Sequence, residues 1–264
     1  MPIAAGTHVY DCTHSTVLAR GLSMAPAELT DALTNRLPSL VHDEEGSEEL
    51  RDLFDGLATT QFETDHLERV LNVPRAAVEP WRVGEALAEA YLVDHRGCEF
   101  PWPSGRDLKN PEASPAGADL AGFIREGDDD LLALGEVKTS FDTDTPPSVM
   151  TGRHGMVAQL EALRDATDKV YGIVRYLGFR AQASSWKDKL KVAWVNFSRQ
   201  NRFYAFGVLI RDTPPAPLDL QNRCRTLADG CPATVSIELR ALYLPSGSIP
   251  TLPTNLGPRR RISP

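Results

Sequence analysis

Apolar residues recur three and four apart through "PAELTDALTNRLPSLV" (26–41) and "SEELRDLFDGLATTQFETDHLERVL" (47–71), so the pattern from Met24 to Val73 predicts helix. Ser47 followed by Glu48 and Glu49 fits a helix start, because acids are favoured in the first turn. Pro74 and Pro80 flank a break. "WRVGEALAEAYL" then predicts a helix from about Arg82 to Asp94, rich in strong helix formers. The proline-rich run "CEFPWPSGRDLKNPEASPAG" excludes a long helix. From Gly117 to Ser140 the pattern changes to that of a hairpin, with Gly127 to Asp130 marking the reversal.

Beyond a proline-containing loop, apolar positions at Met156, Leu160, Leu163, Val170, Ile173 and Leu177 predict one long helix over about Met156 to Phe179. "KVAWVNF" (191–197), "FYAFGVLIR" (203–211) and "ATVSIELRALYL" (233–244) are strand candidates. The first fifteen residues could supply a strand but have no clear period, and "PSGSIPTLPTNLGPRRRISP" is expected to be extended, with a basic end. The order predicts an α/β (α+β) fold, a central mixed sheet flanked by helices. It divides into a mostly helical region over 1–78, a core over 79–245 and a tail over 246–264.

The composition, 42% hydrophobic and 24% charged, is that of a globular chain. No apolar run approaches the roughly 18 residues of a membrane span, and no signal-peptide pattern opens the sequence. With four cysteines in 264 residues, free thiols and a cytoplasmic location are expected. His8, Cys12 and His14 lack a second ligand pair at finger spacing, which points to an incidental role. Cys224 and Cys231 could clip a loop or help hold a metal, but lack C-x-x-C spacing.

Charge is unevenly spread. Residues 1–150 hold 11 Lys and Arg against 28 Asp and Glu, a net of −17; residues 151–202 hold 10 against 4, a net of +6, and residues 203–264 hold 7 against 4. A basic second half suits a phosphate-bearing ligand, or simply solvates a helix.

The hairpin carries the candidate chemistry. Alternation puts Glu136 and Lys138 on one face with Val137 opposite. With 125 facing 130, residue 119 faces 136, and directly opposed residues lie about 5 Å apart. Asp119, Glu136 and Lys138 then converge. Two carboxylates so close repel unless a cation sits between them or one is protonated. Mg²⁺ is commonly held by one or two carboxylates with waters and phosphate oxygens, and a neighbouring lysine can orient water or neutralise charge on a phosphate. A solvent-facing cross-strand ion pair, with Asp119 as a cap, is the plainer alternative.

This constellation resembles the PD-(D/E)XK nuclease superfamily, whose core strands carry an aspartate and then Glu-x-Lys, with helices before and after. The resemblance implies that Asp119 and Glu136 bind Mg²⁺ or Mn²⁺, that Lys138 assists catalysis, and that Glu85 in the preceding helix is a further metal-binding carboxylate. Glu85 and Glu89 share one side of that helix, and either could be a surface residue. Ala118 stands where the motif's proline would be. Gln159 matches a glutamine of RecB-type nucleases, although Leu163 replaces the tyrosine that follows it there. Arg153 and His154 could touch DNA phosphate.

More narrowly, "LGEVKTS", the Pro-Pro loop and "GRHGMVAQLEALR" resemble the HamA nuclease subunits of Hachiman anti-phage defence. That resemblance implies a DNA nuclease working beside a HamB-like helicase partner. The chain itself has no G-x-x-x-x-G-K-[ST] phosphate loop. Two rivals stay open: a non-catalytic subunit that binds DNA or the helicase, and a sequence-specific restriction endonuclease. RNA as substrate also stays open.

Overall fold

In the computed structural model, residues 1–71, 77–103, 106 and 117–259 are described. Pro74, most of the proline-rich run after residue 103, and Arg260 and Arg261 of the basic tail lie outside the described residues.

Seven strands form one mixed sheet in the order β1-β2-β7-β6-β5-β4-β3. They are β1 (Thr7–His14), β2 (Val17–Ser23), β3 (Cys98–Glu99), β4 (Leu120–Glu126), β5 (Asp129–Ser140), β6 (Phe203–Arg211) and β7 (Val235–Tyr243). The central strands β2, β7, β6 and β5 run parallel, and β1, β4 and β3 pair antiparallel at the two edges. Strands buried on both faces read as nearly continuous apolar runs, as β6 and β7 do.

On one face lie α1 (Pro26–Asp31), α2 (Leu37–Val41) and α5 (Pro80–Arg96), with Leu33, Leu37, Leu87 and Leu92 meeting Val137, Phe206 and Val208. The other face carries α6 (Met156–Asp165), α7 (Thr167–Ala181), α8 (Lys187–Gln200) and α9 (Gln221–Ala228), packed through Leu160, Leu177, Phe197 and Leu227 against Leu132, Leu134 and Leu209. Helices α3 (Glu44–Leu53) and α4 (Gln61–Leu71) stand further out, with Leu53 and Phe62 exposed. A short α10 (Leu252–Asn255) follows β7.

Several expectations need correction. The first fifteen residues do supply a strand, β1; the difference lies in β2, which puts residues 17–23 of the mostly helical region into the main sheet as well. The segment 191–197 is helical, not a strand: Leu190, Ala193, Asn196 and Phe197 are its buried positions, at helical spacing. The long helix after the hairpin breaks at Ala166, whose φ of −103° and ψ of 85° end α6 before α7 starts. The tail is not simply extended, because Ile249 and Leu252 are buried in a turn and in α10. All four cysteines are free, and the Cys224 thiol lies 3.4 Å from the Val17 carbonyl oxygen.

One buried charge cluster ties the strand ends together. Arg211 Nη1 donates to Asp219 Oδ1 at 2.6 Å, and the Tyr243 hydroxyl donates to Asp219 Oδ2 at 2.8 Å. Tyr10 reaches the Tyr243 hydroxyl from β1 at 2.9 Å.

Candidate active site

The β4–β5 hairpin has the register its sequence implies. Arg125 pairs with Asp130 and Glu126 with Asp129, leaving Gly127 and Asp128 as a two-residue turn. Gly127 has a φ of 62°, a value that suits the first position of such a turn. Counting back, the ladder closes at Leu120 opposite Gly135. Asp119 stands one step beyond, level with Glu136.

β5 outruns its partner. Residues 136–140 pair with β6 on one side, Glu136 opposite Gly207 and Ser140 opposite Arg211, but β4 has already ended on the other. Asp119 partly replaces the missing strand: its Oδ2 accepts from the Val137 backbone N–H at 2.8 Å. Through this gap a cavity of about 440 Å³ joins the two faces of the sheet, lined by Arg82, Glu85 and Glu89 of α5, by Asp119, and by Lys169 and Tyr176 of α7.

Glu136 is buried, and Lys138 Nζ donates to its Oε1 at 2.5 Å. Neither residue lines the cavity itself; both stand beside Asp119 on the unpaired end of β5. α5 approaches the sheet closely because Gly84 has no side chain. A Cβ there would lie 1.9 Å from Thr139 Oγ1. This contact fixes the height of α5, and with it the position of Glu85 one residue on.

The carboxyls hold their protons tightly. Glu85 is pushed up to about 8 by burial and then by Asp119, against the pull of Arg82 3.5 Å away. Burial and then Asp119 raise Glu136 to about 7, opposed by Lys138 and Lys169. Burial also raises Asp119, while the Val137 N–H, Lys138 and Lys169 lower it. Glu89, further along the same stripe of α5, is raised to about 7 by burial, with Arg82 and Arg36 offsetting. Negative groups outnumber positive ones in a desolvated space, the condition under which a carboxyl takes either a proton or a cation.

Among the described residues, no group of three His, Cys, Asp or Glu stands close enough to hold a metal unaided. The donor set is a carboxylate pair. One oxygen of each is held, Asp119 Oδ2 by Val137 and Glu136 Oε1 by Lys138, and the other carries no protein hydrogen bond among the described residues. Such a pair fits Mg²⁺ or Mn²⁺, which keep several waters and take the rest of their oxygens from phosphate.

The fold therefore brings together Asp119, Glu136, Lys138 and Glu85. Gln159 joins at one remove, its Oε1 accepting from Lys169 Nζ at 3.2 Å. Arg153 and His154 sit on the exposed loop before α6, and neither lines the cavity. Sequence reasoning missed Lys169 and Arg82. Each lies on a stripe beside the core face of its helix: Lys169, Gly172 and Tyr176 in α7, and Arg82, Glu85 and Glu89 in α5. A polar stripe adjoining an apolar one was the available signal.

Comparison with protein-family models and with the curated proteins found no match to this chain.

Proposed function

We propose that this chain is a metal-dependent nuclease that hydrolyses phosphodiester bonds of DNA. The observation that carries the reading is the meeting of Asp119 and Glu136 across the open end of the hairpin, with Lys138 on the same face. A PD-(D/E)XK core is part of the same proposal. It rests on this hairpin, the helix before it that bears Glu85 and the helix after it that bears Gln159.

Asp119 and Glu136 would hold Mg²⁺ or Mn²⁺ through their second oxygens, with Glu85 a nearby acid of the cavity wall rather than a third direct ligand. When bound, the ion supplies Lewis-acid polarisation of the phosphoryl oxygen and a water of lowered pKa. Lys138 is placed to turn from Glu136 towards the phosphate, where it neutralises charge that builds as the bond breaks. Lys169, steadied by Gln159, adds a second positive group at the cavity wall. Glu136 is buried, and a desolvated setting strengthens its interactions with Lys138 and with a bound cation. The resemblance to HamA extends the proposal to an effector subunit beside a HamB-like helicase, in a defence complex.

The test is cleavage of plasmid and linear DNA with Mg²⁺ or Mn²⁺, comparing wild type with the Glu136→Ala/Lys138→Ala double variant. Cutting by the wild type alone is the expected result. Equal cutting by both would assign the activity to another centre. Silence of both, persisting with a partner helicase and ATP, would favour a non-catalytic DNA- or helicase-binding subunit. Cuts at discrete sites would identify a sequence-specific restriction endonuclease.

A further inference from the structure

Helices α7 and α8 form an antiparallel hairpin on one face of the sheet. Tyr171, near the start of α7, has its ring 6.1 Å from Trp194 and 5.8 Å from Phe197, both towards the end of α8. Phe197 is buried and anchors this cluster. Tyr171 and Trp194 are not: they are 46% and 39% exposed, and Phe179, two turns along α7, is 62% exposed. Scattered apolar residues on a surface are ordinary, but three large aromatic rings along one helix pair are not.

The charge on this pair is as unusual as the rings. Residues 167–200 hold seven Lys and Arg against Asp168 and Asp188, in a chain whose net charge is −8, and of the seven Lys189 is tied to Glu99 of β3. Arg175 lies between the exposed rings of α7, with its guanidinium 5.6 Å from the Phe179 ring centre. Lys187, Lys191 and Arg199 are exposed along α8, and among the described residues Lys191 meets only an exposed partner, Asp188, at 2.7 Å. Such a pair exchanges readily for phosphate, because solvent-exposed ion pairs contribute little.

Aromatic faces interleaved with cations match the chemistry of an unpaired nucleic-acid strand, whose bases stack on rings while its backbone follows positive charge. A duplex keeps its bases stacked on one another and offers such rings nothing. A protein partner would be drawn by the apolar rings but not by so strong an excess of one charge. We infer that the α7–α8 face is a docking surface for single-stranded nucleic acid. It deepens the nuclease reading by naming the form of the substrate, and it rests on that reading only for the link to cutting. The adjoining stripe of α7, Lys169 to Tyr176, lines the cavity that holds Asp119, so a strand lying on Tyr171, Arg175 and Phe179 passes beside the carboxylates.

The experiment is fluorescence anisotropy of the full chain in EDTA, which stops cutting, with labelled oligo-dT of twenty bases, the matching oligo-U, and a duplex of equal length. Tighter binding of the single strand than of the duplex, by about tenfold or more, is expected. Tyr171→Ala/Trp194→Ala weakens it by at least about tenfold, within the range of one or two lost stacked bases. Because these rings touch buried Phe197, Arg175→Gln/Lys191→Gln is measured as well. Those side chains are exposed, and each exchange flattens the dependence of log K on log salt by about 0.7 if it removes one phosphate contact on a single strand. Tyr171→Phe/Trp194→Phe retains binding. Equal affinity for duplex, or unchanged binding and salt slope in the Gln variant, overturns the inference even where DNA is cut. Strand binding without any cutting sustains the inference and sinks the nuclease instead.

Discussion

Two clusters of buried charge lie at neighbouring ends of the same sheet, and they are built on opposite principles. Around Arg211 the charges balance: guanidinium meets the Asp219 carboxylate at 2.6 Å, and a tyrosine hydroxyl takes the second oxygen. Around Asp119 they do not. Asp119, Glu136, Glu85 and Glu89 face Arg82, Lys138 and Lys169, and all four carboxyls are raised by burial. A balanced buried pair holds strands in place, and removing one partner leaves the other stranded. An unbalanced one is a standing cost to the fold, and that cost marks it as a candidate for chemistry.

The sharpest way to break this contrast is to delete one acid from each cluster. Asp219→Ala strands Arg211 and is expected to cost about 3–5 kcal/mol of unfolding free energy in a urea titration. Glu136→Ala removes a carboxyl that repels its neighbours and is expected to cost far less. Equal losses would show that both clusters are structural.

Activity should divide in the opposite sense. Asp119→Asn and Lys138→Ala, still folded by circular dichroism, are expected to lower the initial rate of DNA cleavage by about 10²–10³-fold, the scale of one lost transition-state contact. A rate within a factor of three of wild type would leave Asp119 as no more than a cap on Val137.

Gly84 tests the same site from the far face of β5. Gly84→Val forces a side chain onto Thr139 and is expected to cost about 1–3 kcal/mol by overpacking, measured by denaturant. Cleavage should fall too, because lifting α5 moves Glu85. Full activity in a destabilised protein would remove Glu85 from the reaction.

The smallest expected effect is on stability against pH. Folded carboxyls raised above their ordinary values bind protons more tightly than the unfolded chain does. Their contribution is therefore complete below about pH 4.5 and is lost as pH rises through about 7 to 8, the values for Glu136 and Glu85. The melting temperature should drop by a few degrees across that window, and Mg²⁺ should restore it more at pH 8 than at pH 6. Asp119→Asn/Glu136→Gln should flatten both responses. A melting temperature that rises across the window in wild type would contradict the raised carboxyls.

How far the sequence reveals this arrangement depends on how local each feature is. The hairpin register is legible because a two-residue turn and a period of two fix it within 24 residues, and Asp119 and Glu136 come with it. α8 was not, because "KVAWVNF" alternates large apolar residues as a strand would. Only packing shows that Val192 and Val195 stay exposed while Ala193 and Phe197 are covered. β1 was only half legible: the first fifteen residues were open to a strand, but an edge strand with no buried position gives no period to fix its bounds. Lys169 reaches the site across 31 residues from Lys138, a meeting that only the packing of α7 over the sheet creates. The π-helical turn at Ala32–Arg36 likewise leaves no mark in the spacing of Leu29, Leu33 and Leu37.

The bond from Val137 to Asp119 gives the protein a spectroscopic reporter at its centre. An amide proton bound to another backbone carbonyl is insensitive to side-chain ionisation, whereas this one ends on a carboxylate whose charge is in question. Its resonance should move as Asp119 gains or loses a proton, and move again when a cation draws on the other oxygen. In amide hydrogen exchange, its protection should depend on a side chain that can turn away without any strand opening. Occupancy of the site could then be followed from one backbone position, in the intact chain, with no substrate present.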